Sequence, residues 1–132
     1  MKLHADRFVT IEYEESQKQI NLLWSDKTDD LTVELYKSEM LIFVGYFLKY
    51  TPEKLLNDLS RGSFIVTPDL QLWTVQNVYV HYASIVKKSA IVLSKDFLTQ
   101  LSVEQIVEEH HTRNFPTKYF SDIKIAKIWL AE

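Results

Sequence analysis

The sequence predicts an α/β fold: a mixed sheet of about five strands, an N-terminal antiparallel hairpin, then parallel strands with helical crossovers. Three observations predict it. Residues 8–13 and 20–24 alternate apolar and polar on either side of a polar turn, the period of a half-buried hairpin. Residues 55–59 and 89–94 are short apolar runs, as inner strands should be. Between them, Thr67-Pro68-Asp69 reads as a capped helix start, the local grammar of a strand feeding a helix.

Taken in order, Val9, Ile11 and Tyr13 share one face of the first strand, with Thr10 and Glu12 on the other. Glu15-Ser16-Gln17-Lys18 is turn-like, and Ile20, Leu22 and Trp24 alternate in the hairpin partner. Thr32 caps a helix over 33–50 and places Glu34 in its first turn, where the helix dipole favours an acid. Tyr36, Met40, Phe43, Val44, Phe47 and Leu48 form its apolar stripe, widened by Leu35, Ile42 and Tyr46. Thr51-Pro52 ends it, because the residue before proline avoids the α region. After strand 55–59, Thr67 caps a helix whose inner face is Leu70, Trp73, Val78 and Tyr82. Strand 89–94 follows, then a helical turn at 96–101 and a capping box, Ser102-Val103-Glu104-Gln105, opening a helix to about His111. Tyr119-Phe120 is a weak last strand. Ser121 or Asp122 caps a final helix that buries Ala126, Trp129 and Leu130.

With 132 residues, 46% hydrophobic and 25% charged, the chain is expected to form a single domain over 1–132 that needs no metal or disulfide to fold. Cysteine is absent, which removes thiolate nucleophiles and Cys-ligated zinc and fits a reducing cytoplasm. The net charge is −3 and the 15 Lys and Arg are scattered, so no nucleic-acid partner is expected. The first residues lack the apolar core of a signal peptide, and the most apolar stretch, 40–48, is far short of the roughly 20 residues a membrane span needs. A soluble, cytoplasmic protein is the expectation. Only Gly45 and Gly62 are glycine, which excludes the phosphate-cradling loops of nucleotide-binding folds; no cofactor is expected.

Three segments resemble the STAS-like or SpoIIAA-like superfamily, and more closely its small stand-alone bacterial members. They are the strand-loop-helix from Asn57-Asp58-Leu59-Ser60 to Gln71-Leu72-Trp73; the run Phe97-Leu98-Thr99-Gln100-Leu101-Ser102-Val103-Glu104-Gln105; and the ending from Tyr119-Phe120-Ser121-Asp122 to Trp129-Leu130. With the element order, the likeness covers most of the chain. In the anti-sigma-factor antagonists of that group, an Asp-Ser pair sits where the helix after the inner strand begins, and a partner kinase phosphorylates the serine. Aligning Ser63-Phe64-Ile65 with the group's Ser-Phe-hydrophobic stretch sets Val66-Thr67-Pro68 over that site. Val66 then stands at the aspartate, Thr67 supplies the hydroxyl, and the following glycine is missing.

Asp58, Ser60, Arg61, Ser63 and Thr67 make the polar cluster at the carboxyl end of an inner strand, a candidate interaction or regulatory loop. A helix N-terminus beside an arginine suits an anion or a phosphorylated hydroxyl. Turn and capping chemistry uses the same residue types and is the favoured reading. Glu108-Glu109-His110-His111 invites a metal, but adjacent helical residues point about 100° apart and share no face, so no metal is expected. His4 and His81 stand isolated in sequence, and no nucleophile elbow accompanies them; no catalytic residue is assigned. Three Trp, seven Tyr and seven Phe are mainly core. The surplus on helix 33–50, Phe43, Tyr46, Phe47 and Tyr50, is a candidate apolar interface or pocket.

The function expected is a non-enzymatic STAS-like interaction or regulatory module that binds a protein partner or itself as a homodimer. The alternative is a carrier or sensor of a small apolar ligand held between helix 33–50 and the sheet. An enzyme ranks third.

Overall fold

The computed structural model describes residues 1–93 and 115–132. Its strands lie in chain order across one six-stranded sheet, β1-β2-β3-β4-β5-β6. β2 (Val9–Glu14) buries Val9, Ile11 and Tyr13 and pairs antiparallel with β3 (Gln19–Trp24), from Val9 opposite Trp24 to Glu14 opposite Gln19. The turn between them closes on Lys18, which takes a left-handed φ of 49°.

The expected five strands become six because β1 (Lys2–Ala5) adds antiparallel to β2 at the sheet edge. Its four residues are too few to display a period, and its register shifts between Lys2 and His4. What holds it is long-range: the N-terminal ammonium donates to the Tyr13 carbonyl at 2.9 Å.

From β3 onward the pairing is parallel. β4 (Lys54–Asp58) and β5 (Lys88–Val92) are adjacent inner strands, with Leu55 opposite Ser89 and Asp58 opposite Val92; β6 (Thr117–Phe120) pairs parallel beyond β5. α1 (Val33–Tyr50) crosses from β3 to β4. Thr32 Oγ1 accepts from the Leu35 amide at 3.2 Å, and the helix ends on Thr51, whose N–H donates to Phe47 O at 2.8 Å.

α2 (Pro68–Thr74) runs into a π-helical turn (Val75–Tyr79) and a last turn, α3 (Val80–Tyr82). A straight α-helix drifts about 40° with each step of four residues. The wider π turn offsets that drift, so that Leu70, Thr74 and Val78 stay inside and Tyr82 still reaches the core. α4 (Ile123–Ala131) starts at Asp122, which accepts from the Lys124 amide at 2.7 Å; it buries Ala126 and Leu130 and leaves Trp129 half-buried.

Two cores result. The larger one packs α1 and the α2–α3 helix on the face that carries Ile11, Ile20, Leu22 and Leu55. The smaller one joins Leu56, Ala90 and Val92 to Ala126 and Leu130 of α4 on the opposite face. Neighbouring residues Leu55 and Leu56 therefore belong to different cores, the reason β4 shows no alternation. The turn at 96–101, the helix to His111, the Phe97 to Gln105 likeness and the Glu108–His111 cluster lie outside the described residues.

Candidate functional site

The carboxyl ends of β3 and β4 converge under the loop that follows β4, where α/β sheets place ligands. Asp58 Oδ1 accepts from the Ser60 amide at 2.9 Å, an Asx turn. The Ser63 amide donates to Thr28 Oγ1 at 2.9 Å. Arg61 meets Asp26 at 3.5 Å with both side chains mostly in solvent, a pair that contributes little. Thr67 Oγ1 accepts from the Leu70 amide at 3.4 Å and caps α2.

Thr67→Ala should therefore destabilise the chain by about 0.5–1 kcal/mol, the low end for caps because the bond is long. Thr67→Asp should match the wild type, since an aspartate caps as well and favours the dipole. Urea unfolding of the two variants checks this.

Beneath the loop lies a pocket of about 70 Å³ lined by Leu22, Trp24, Tyr36, Met40, Asn57 and Phe64. Tyr36 is its floor, stacked on Phe64 at 5.2 Å and facing Trp24 at 6.2 Å. Burial pushes the Tyr36 phenol up to about 12, against a smaller opposing effect of its hydrogen bond to Thr74. The Thr74 hydroxyl donates to Leu70 O at 2.8 Å, so at 3.0 Å the Tyr36 hydroxyl is the donor to Thr74. The phenol is a structural tie, spent on its neighbour.

The four aromatics singled out on α1 divide. Phe43 and Phe47 are each 1% exposed and sit in the larger core; Tyr46 and Tyr50 are half-buried, with Tyr50 4.7 Å from Tyr13. Neither buried ring can meet a partner. Leu35, Ile42 and Leu48, read as part of the inner stripe, instead face solvent, together with Leu41. The aromatic residues, with Met40 and Val44, fall on the inner face; Leu35, Leu41, Ile42 and Leu48 occupy the outer. Gly45 lies on that outer face, and a methyl group there would meet nothing within 4 Å among the described residues.

His4 is isolated in sequence but not in space. Its Nε2 lies 3.0 Å from Asp6 Oδ2 and 3.4 Å from Glu39 Oε1, which brings β1 and α1 together. Asp6 Oδ1 accepts from the Phe8 and Val9 amides at 2.8 and 3.0 Å. Glu39 is buried, and its Oε2 has no hydrogen-bond partner among the described residues. Burial first, then the neighbouring Asp6 carboxylate, raises Glu39 to about 7, against the opposing pull of His4. Burial also acts to raise Asp6, but hydrogen bonds from Glu39, the two amides and His4 outweigh it and hold its carboxyl below the usual range. The signal that could have found this cluster was Glu39 itself: it lies three residues after Tyr36 and four before Phe43, an acid on an apolar helix face.

Among the described residues no helix is long and apolar enough to cross a membrane. Compared with known proteins, the chain matches no family model, no curated protein and no solved structure.

Proposed function

We propose that the chain is a non-enzymatic STAS-like interaction module that acts as a homodimer, docking through the outer face of α1. The observation that carries this reading is that the face is complementary to itself. An antiparallel copy, related by a two-fold axis between Leu41 and Ile42, sets Glu34 opposite Lys49 and Leu35 opposite Leu48. It also sets Ser38 opposite Gly45 and Leu41 opposite Ile42. All eight residues are exposed.

Gly45 supports the reading independently. A glycine inside an exposed helix costs about 1 kcal/mol against alanine, and nothing within the described chain occupies the space a side chain would take. Close approach of a second helix supplies the reason. The small-ligand alternative has the pocket under Phe64, but about 70 Å³ is well below the roughly 300 Å³ at which ligand sites begin. The loop that covers it remains the place where a regulatory modification would act.

Sedimentation velocity tests the proposal. The wild type should be a dimer at tens of micromolar, and Leu41→Glu should raise the dissociation constant by about 100-fold or more, because it sets an unpaired carboxylate in the seam. Glu34→Lys should weaken the dimer and Glu34→Lys with Lys49→Glu should restore it. A monomer at the highest concentration the protein tolerates ends the proposal, as does a dimer that survives Leu41→Glu.

A further inference from the structure

Where the edge strand β1 meets the inner face of α1, an imidazole and two carboxylates converge, and none of the three has a part in the docking face. We propose that His4, Asp6 and Glu39 form a binding site for a divalent transition metal of the zinc class.

The geometry is the first support. The donor atoms of the three side chains all lie within 4.8 Å of one another. A tetrahedral ion with bonds of about 2.0–2.1 Å separates its ligand atoms by about 3.4 Å. His4 Nε2 stands 3.0 Å from Asp6 Oδ2, just short of that spacing, and 3.4 Å from Glu39 Oε1, at it, so small rotations of side chains complete the set.

The supporting contacts are the second. Asp6 spends Oδ1 on the amides of Phe8 and Val9, which fixes the carboxylate and leaves Oδ2 turned to His4. That is how a ligand is oriented by its outer contacts.

Glu39 is the third and independent support. Its side chain is 5% exposed, its one ion-pair partner among the described residues is His4, and Oε2 has no hydrogen-bond partner there. Two carboxylates set together, one of them buried, repel each other when ionised, and a cation between Glu39, Asp6 and His4 offsets that repulsion. The mixed donor set of one nitrogen and two carboxylates suits zinc, cobalt or manganese better than calcium or magnesium, which favour oxygen alone. His4 and Asp6 are 23% and 34% exposed, which gives the ion a path in and leaves a fourth position open to solvent. Bound there, the ion clips the four-residue edge strand to α1 and stabilises the chain by mass action.

The full chain, stripped with a chelator, is titrated with zinc chloride; bound zinc is measured by equilibrium dialysis and the melting temperature is followed. One zinc per chain and a rising melting temperature are expected. Glu39→Gln, which keeps the side chain's shape, should weaken binding by at least about tenfold, the scale on which disturbed metal sites lose affinity, and abolish the rise. Asp6→Asn should do the same, and circular dichroism of both variants confirms folding. A double variant, His110→Ala with His111→Ala, should bind as the wild type does. Zinc that stays bound in Glu39→Gln, zinc that is lost in the double variant, or binding with no change in melting temperature overturns the proposal.

Discussion

Phe47→Ala is expected to cost about 3–5 kcal/mol of folding stability, the range for deleting a buried aromatic side chain. Phe47 is 1% exposed, and its ring packs 5.9 Å from Phe43 and 5.6 Å from Tyr82. Tyr82 in turn contacts Phe43 at 6.2 Å and Phe115 at 6.3 Å. The cluster therefore joins α1 to α3 and to the segment that leads into β6. Each of these is anchored elsewhere, α1 by its cap at Thr32 and β6 by its pairing with β5, so the walls of the cavity cannot close on it. The melting temperature should fall by on the order of 10–20 °C. Leu48→Ala, one residue further on the solvent side, should change monomer stability by less than about 0.5 kcal/mol and act on dimerisation instead. Urea unfolding of the pair measures the contrast. A loss below about 1.5 kcal/mol for Phe47→Ala would mean that the inner face of α1 does not bind through this ring.

Glu39→Gln is expected to change how stability depends on pH, measured with a chelator present. Glu39 titrates at about 7 in the fold, against an ordinary 4.5. Below 4.5 the carboxyl is protonated in both folded and unfolded chains and costs nothing. Between 4.5 and 7 the unfolded chain gives up its proton first, so the stability from this group is lost as pH rises; above 7 the loss is complete. At about 1.36 kcal/mol per unit the loss is at most about 3 kcal/mol, and smaller because solvent screens the site and the proton is shared between Glu39 and Asp6 as a pair. Asp6 acts in the opposite sense in acid: its lowered pKa contributes stability above 3.8 that is lost as pH falls. The Gln variant should keep its stability from pH 5 to 8 and exceed the wild type at pH 8. Parallel pH curves for the two proteins would rule out an ionising Glu39 as the cause.

The elements most legible in the sequence are those whose signals are local. Thr32 and Thr67 cap their helices as read, and of the two candidates Ser121 and Asp122 the second caps the last helix, because a cap is a contact between residues two or three apart. The hairpin and the two inner strands follow from alternation and from short apolar runs. The outer face of α1 was misread for a nearby reason. The helix is apolar nearly all round, so its period does not say which side meets the sheet, and only packing put Phe43 and Phe47 inside with Leu41 and Leu48 outside.

By itself, then, the sequence determined the α/β class, the helix starts, the antiparallel-then-parallel sheet and the inner places of β4 and β5. The physical reason is that periods of 2 and 3.6 residues and capping hydrogen bonds are written over a few consecutive positions. Tertiary structure alone decided that β1 becomes a strand, through its pairing with β2 and the bond from the N-terminal ammonium to Tyr13. It alone brought Glu39, 35 positions along the chain, against His4 and Asp6. Such contacts depend on how the sheet closes over α1, and no run of consecutive residues encodes a distance between chain segments so far apart.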